Sequence, residues 1–162
     1  MRTNLSRSQS PLRAAENIYE EVLSLSDEVN EYFEISAPYE RKRLAAIDRA
    51  LFTCESLKIS TRLMHVISWC LVRRAVDAGE LTPEEGVAED RRLGDRELCC
   101  SVDYKEISNL PPPMLQLIRE SVNLYERVMR LEARLIEVVE SPAGPANTDS
   151  VQGLLGRLES TF

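Results

Sequence analysis

The chain has little of what catalysis uses. It carries one histidine, His65, one tryptophan, three phenylalanines and six glycines in 162 residues. A catalytic base needs a nucleophile and an orienting partner, and helical spacing around His65 offers only Thr61 and Ser68. His65 therefore reads as a packed, hydrogen-bonded histidine. A zinc site needs about four ligands at recognisable spacing, and one histidine with four cysteines does not supply it. The glycines form neither GxGxxG nor a P-loop, and no Glu-x-x-His pattern for a bundle metal site occurs. The expectation is a protein with no catalytic residues, no cofactor and no metal.

Other absences narrow the class. No apolar run of about 18 residues exists, so no membrane span is expected. The start, MRTNLSRSQSPLR, lacks the apolar core of a secretory signal. Basic residues are in the minority: the net charge is −7, which argues against a general phosphate-binding surface. Cys54 and Cys70 fall on one helix, about 24 Å apart at 1.5 Å per residue. Cys99 and Cys100 are adjacent and have no spaced partners. With no disulfide framework, a reducing, cytoplasmic setting fits best.

What is present is helical. Leu, Ala, Glu and Arg dominate, which favours an all-α fold. Residues 1–9 read as a flexible N-terminus and 10–140 as one bundle domain. Ser10-Pro11 opens a first helix that runs to about Ile35. Its apolar face is Ala15, Ile18, Tyr19, Val22, Leu25, Val29, Tyr32 and Phe33. Seven acids and no Lys or Arg fall between residues 14 and 35. Pro38 breaks the pattern, and the spacing predicts a second helix over 39–79, ended by Gly79. Thr82-Pro83-Glu84-Glu85 reads as a capping box opening a short helix to about Leu93. The long connection over 80–112 has weak periodicity, and such connections are uncommon unless they carry a function or cover a surface. Pro111-Pro112-Pro113 delivers a third helix over 113–140 with one clean apolar stripe from Met114 to Val138. The expected fold is a three-helix up-down-up bundle, with Leu51, Leu124 and Leu131 buried.

The second helix is apolar on two sides. One stripe is Leu44, Ile47, Leu51, Cys54, Thr61, His65, Ser68, Val72 and Ala75; the other is Phe52, Ile59, Leu63, Val66, Ile67 and Cys70. Asp48, Glu55, Arg62 and Arg73 stand between them. A helix apolar on two sides needs two covers. The bundle supplies one. The other is the connection or a second copy of the chain, so Phe52, Ile59, Leu63 and Val66 are the expected homodimer interface. Glu20, Asp27 and Glu31 on the first helix and the basic run Arg41, Lys42, Arg43 are candidate partner contacts, although that run also suits neutralising the first helix. After Glu140 a flexible linker, SPAGPANTDS, leads to a tail over 141–162. Its apolar residues Leu154, Leu155 and Leu158 suit tethered docking. The residues point to an assembly or docking protein; a DNA-binding transcriptional regulator or another helical scaffold is the alternative. The third helix, with four basic and five acidic residues, is a poor recognition helix.

The run ALFTCESLKISTRLMHVISWCLVRRAVDAGELTPEEG resembles the alphaproteobacterial family named for the regulator of CtrA degradation, RcdA. The acidic first helix ending in EYFE, the third helix with LYERVMRLEARL and the tail resemble it too, over about residues 14–140. The resemblance implies a dimeric three-helix bundle that acts as a non-enzymatic adaptor for the ClpXP protease. It implies as partners the unfoldase ClpX, a CpdR-like response regulator and a cell-cycle cargo such as CtrA. The expected place is the cytoplasm, enriched at a cell pole, with neither nucleic acid nor membrane insertion involved.

Overall fold

Proline starts and glycine stops organise the chain into three long helices and several short ones. The computed structural model describes residues 11–141. Helix α1, Pro11–Ile35, turns inward Ala15, Ile18, Val22, Leu25 and Val29, the three-and-four spacing of one helical face. Helix α2, Ala37–Lys42, is short, and α3 follows over Ala46–Asp77. Helices α4, Pro83–Gly86, and α5, Arg96–Cys100, flank a 3-10 turn at Glu89–Arg91. Helix α6, Pro112–Glu140, closes the bundle with Met114, Leu117, Ile118, Leu124, Tyr125 and Val128 inward. No strand occurs among the described residues, and the fold is an all-α helical bundle.

Two expectations, one about the second helix and one about the core leucines, need correction. The continuous helix over 39–79 is split: the chain leaves helical geometry at Arg43–Ala45, where Ala45 has φ −58° and ψ 158°. No Pro or Gly stands there. The break lets α2 cross the bundle end, with Ala37 buried and the Tyr32 hydroxyl donating to Glu40 Oε2 at 2.6 Å. Packing overrides local propensity at this point. Of the three leucines expected inside, Leu124 is 1% exposed, whereas Leu51 and Leu131 lie half-buried against the core.

The helix directions also differ from up-down-up. Helix α1 is antiparallel to α3, with Glu16 beside Arg74 and the Tyr32 ring 6.4 Å from that of Phe52. It is antiparallel to α6 as well, with Glu21 bonded to Arg127 and both of its ends reversed against that helix. Helix α6 is parallel to α3: Arg62 meets Ser121, while Arg73, further along α3, faces Glu132. The connection makes this possible. It leaves α3 through a Schellman ending, with Gly79 at φ 74° and the Glu80 and Gly79 amides donating to Ala75 and Val76. The Thr82–Glu85 capping box then turns it. It retraces α3 until Lys58 reaches the Ser101 carbonyl at 3.0 Å. The chain is thereby returned to the start of α3 before α6 begins. The short helix expected to reach Leu93 ends at Gly86, which packs so closely against Val76 and Arg73 that a Cβ does not fit.

Candidate protein-interaction surface

The side of α3 expected to meet a second copy faces the chain's own core. Phe52, Ile59, Leu63 and Val66 are 3%, 0%, 5% and 0% exposed, so they are not open to a partner. The reason lies in the connection and in α6. Leu93, Cys99, Ile107 and Leu110 join the same core, so the connection, one of the two covers expected for that side, is the one that takes it. The stripe expected inside the bundle is correspondingly turned outward in part: Ile47, Cys54 and Ser68 are exposed.

The charges between the two stripes fasten the connection down. Arg62 is fully buried; it donates from Nε to the Cys99 carbonyl at 2.8 Å and from Nη1 to Ser121 Oγ at 3.2 Å. Its Nη2 lies 3.8 Å from Glu55 Oε2, and Lys58 completes the cluster at 2.9 Å from Glu55 Oε1. Burial lowers the Arg62 pKa and the nearby Glu55 charge opposes that shift. Arg73 donates to the Gly86 carbonyl and stands 5.3 Å from the Trp69 ring centroid. Buried Glu132 accepts from the Leu93 amide at 2.7 Å and from Arg96 at 2.8 Å. Each of these groups binds backbone or a structural partner. His65 is half-buried, bonded to Asp95 at 2.8 Å and packed on Gly94. Burial pushes the Cys70 thiol up to about 12 and raises that of Cys99, which makes both poor nucleophiles. Among the described residues no group of three His, Cys, Asp or Glu is placed to hold a metal.

The outer face of α3 is different in kind. Ile47, Leu57, Met64 and Leu71 are 68%, 66%, 65% and 48% exposed. Ala50, Cys54, Thr61 and Ser68 fall between them, so apolar or small residues recur at alternating steps of three and four from 47 to 71. None of the eight is charged. A helix face meant for solvent usually carries charge, and α1 shows that norm: its outward Glu20, Asp27 and Glu31 are all exposed. Leu57, Met64 and Leu71 were missed by the sequence reading, although the strict three-four alternation without a charge was visible in it.

The remaining candidates sit apart from this face or outside the described residues. Arg41, Lys42 and Arg43 are exposed at the end of α2. Two acids of α1 find their cations elsewhere: Arg74 of α3 grips Glu16 through two bonds of 2.9 Å, and Arg127 of α6 binds Glu21 at 2.6 Å. The bond to Arg74 lowers the Glu16 pKa and raises that of Arg74. Leu154, Leu155 and Leu158 lie outside the described residues. No described helix is long and apolar enough to cross a membrane.

Comparison with known proteins gives this bundle a family. The crystal structure of RcdA from Caulobacter crescentus CB15 is 32% identical to this chain, with a TM-score of 0.59. The match covers 75% of this chain and 89% of that one. No curated protein matches the chain. A family model described as "Protein of unknown function (DUF1465)" matches residues 7–162. By that span and by its likeness to the Caulobacter structure, the chain belongs to the DUF1465 family and is an RcdA-like protein.

Proposed function

We propose that this chain is a non-enzymatic adaptor that brings a cell-cycle regulator, CtrA-like in kind, to the ClpXP protease together with a CpdR-like response regulator. Family membership through RcdA carries the reading. The uncharged outer face of α3 supports it, because a helix side that avoids charge is suited to protein contact. The mechanism is tethering. A cargo held beside the unfoldase meets it at a raised effective concentration, with no new chemistry. The adaptor works as a homodimer in the cytoplasm, enriched at a cell pole. Glu20, Asp27, Glu31, Arg41, Lys42, Arg43 and the tail residues Leu154, Leu155 and Leu158 are the proposed contacts with protease, regulator and cargo.

The test is capture of partners from the native cytoplasm with the intact chain as bait. The unfoldase and the response regulator are expected to be enriched, and enrichment is expected to fall when the chain is ended after Ser141. Recovery of neither protein, from cells that express both, contradicts the reading.

A further inference from the structure

We infer that the groove between α1 and α6 is a docking site for a charge-polarised helix of another protein, whose acidic end is held by Arg130 and Arg134. The inference stands apart from the adaptor reading and needs neither protease nor cargo. Helices α1 and α6 run antiparallel, and each lines the groove with one three-four stripe, over 14–28 and 119–134. The Glu21–Arg127 bond of 2.6 Å spans the groove and divides it in two. On one side lies a cleft of about 260 Å³, floored by Ile18 and Leu131 and rimmed by Arg127, Arg130 and Arg134. No carboxylate lines it, although the chain carries a net charge of −7.

The two outer arginines carry the argument. Elsewhere on α6, Arg119 stands 5.8 Å from the Tyr104 ring centroid and Arg127 holds Glu21. Arg130 and Arg134 have no ion pair or hydrogen bond among the described residues. Yet Glu126 stands four residues before Arg130 and Glu137 three after Arg134, the spacings at which helical ion pairs form. Both guanidiniums are exposed, so their forks are open to bidentate carboxylates from outside. They lie one turn apart, about 6 Å at 1.5 Å per residue. That matches two acids one turn apart on a second helix. An apolar side chain between those acids meets Ile18, itself 3% exposed, and half-buried Leu131.

The course of the groove beyond the bridge sets the polarity of its occupant. There a cleft of about 580 Å³ is lined by three carboxylates, Glu21, Glu28 and Glu120, and one cation, Arg119. Arg134 and Glu120 are about 21 Å apart along α6, or four turns of a docked helix. A helix with acids at one end and lysines at the other meets opposite charge at both, with its apolar side turned into the groove. A uniform polyanion such as a nucleic acid is repelled at the second cleft.

The test uses the full chain and a fluorescein-labelled 15-residue helical peptide of zero net charge. The peptide has glutamates in its first half, lysines in its second and leucines at three-four spacing. Fluorescence anisotropy is expected to show saturable binding that weakens as salt rises from about 0.05 to about 0.5 M. Arg130→Glu with Arg134→Glu is expected to weaken it at least about tenfold. Arg49→Glu with Lys105→Glu makes the same charge change at exposed positions outside the groove and is expected to leave binding unchanged. Circular dichroism checks that both variants keep their helices; should the groove variant lose them, Arg130→Gln with Arg134→Gln is read in its place. A peptide of the same composition with glutamates and lysines interleaved is expected to bind at least about tenfold more weakly. No binding up to about 1 mM overturns the inference. So does equal binding by the groove variant, by the interleaved peptide, or an equal loss in the control variant, which would mean that net charge alone governs.

Discussion

Arg62→Met tests whether the connection is held by a buried charge. Arg62 is 0% exposed; methionine fills the place of its stem but not of its guanidinium head, so a small cavity adds to the cost of the change. The larger cost is polar. The Cys99 carbonyl loses a 2.8 Å donor and Ser121 a 3.2 Å donor; a buried group left unsatisfied costs about 1–3 kcal/mol. Glu55 stays 4% exposed but loses the neighbouring charge at 3.8 Å. Breaking a buried pair costs about 3–5 kcal/mol, and Lys58, at 2.9 Å, remains to offset part of it. The net is about 3 kcal/mol, a large share of the about 5–15 kcal/mol of an ordinary domain. Urea unfolding followed by circular dichroism measures it. The companion variant Glu55→Leu with Arg62→Met leaves no buried charge in this cluster and is expected to recover about 1 kcal/mol or more relative to the sum of the two single changes. A single variant within about 0.5 kcal/mol of the parent, in the range of an ordinary surface change, refutes the clamp. Strict additivity in the cycle refutes the coupling.

Other perturbations test neighbouring parts of the account. Ile59→Glu puts an unpaired charge at a position 0% exposed and is expected to cost more than about 4 kcal/mol; a folded, soluble monomer would contradict the inward orientation of that stripe. Gly94→Ala sets a Cβ 2.8 Å from His65 Cε1, so the ring must swing away from Asp95, at about 1–2 kcal/mol of overpacking, and unchanged urea stability would count against that packing. With a thiol-specific alkylating reagent, exposed Cys54 is expected to react in the folded protein, while Cys70 and Cys99 react only on unfolding. Peptide mass spectrometry reads the order, and early labelling of Cys70 would contradict it.

Legibility followed the reach of the forces. Helices α1 and α6 are apolar on one side only, so their faces could be read from periodicity, and the Thr82–Glu85 capping box and the Gly79 stop are short-range chemistry that the sequence displays. Which side of α3 faces inward is a different matter. It is decided by Leu93, Cys99, Ile107 and Leu110 folding back from a connection with weak periodicity, and no local pattern contains that. The direction of α6 depends on the same return. The break at Arg43–Ala45 has no breaker residue, only the contact of Tyr32 with Glu40 across the bundle end. The uncharged outer face of α3 was half visible: Ile47, Cys54, Thr61 and Ser68 were grouped together but assigned to the core, because two apolar sides competed for one interior.

The most direct test of the adaptor is a reconstituted degradation reaction containing ClpXP, the response regulator and a CtrA-like cargo, with and without this protein. If the proposed role holds, cargo half-life shortens only when this protein and the response regulator are both present, and this protein itself persists through the reaction. An unchanged cargo half-life with every partner present would contradict it.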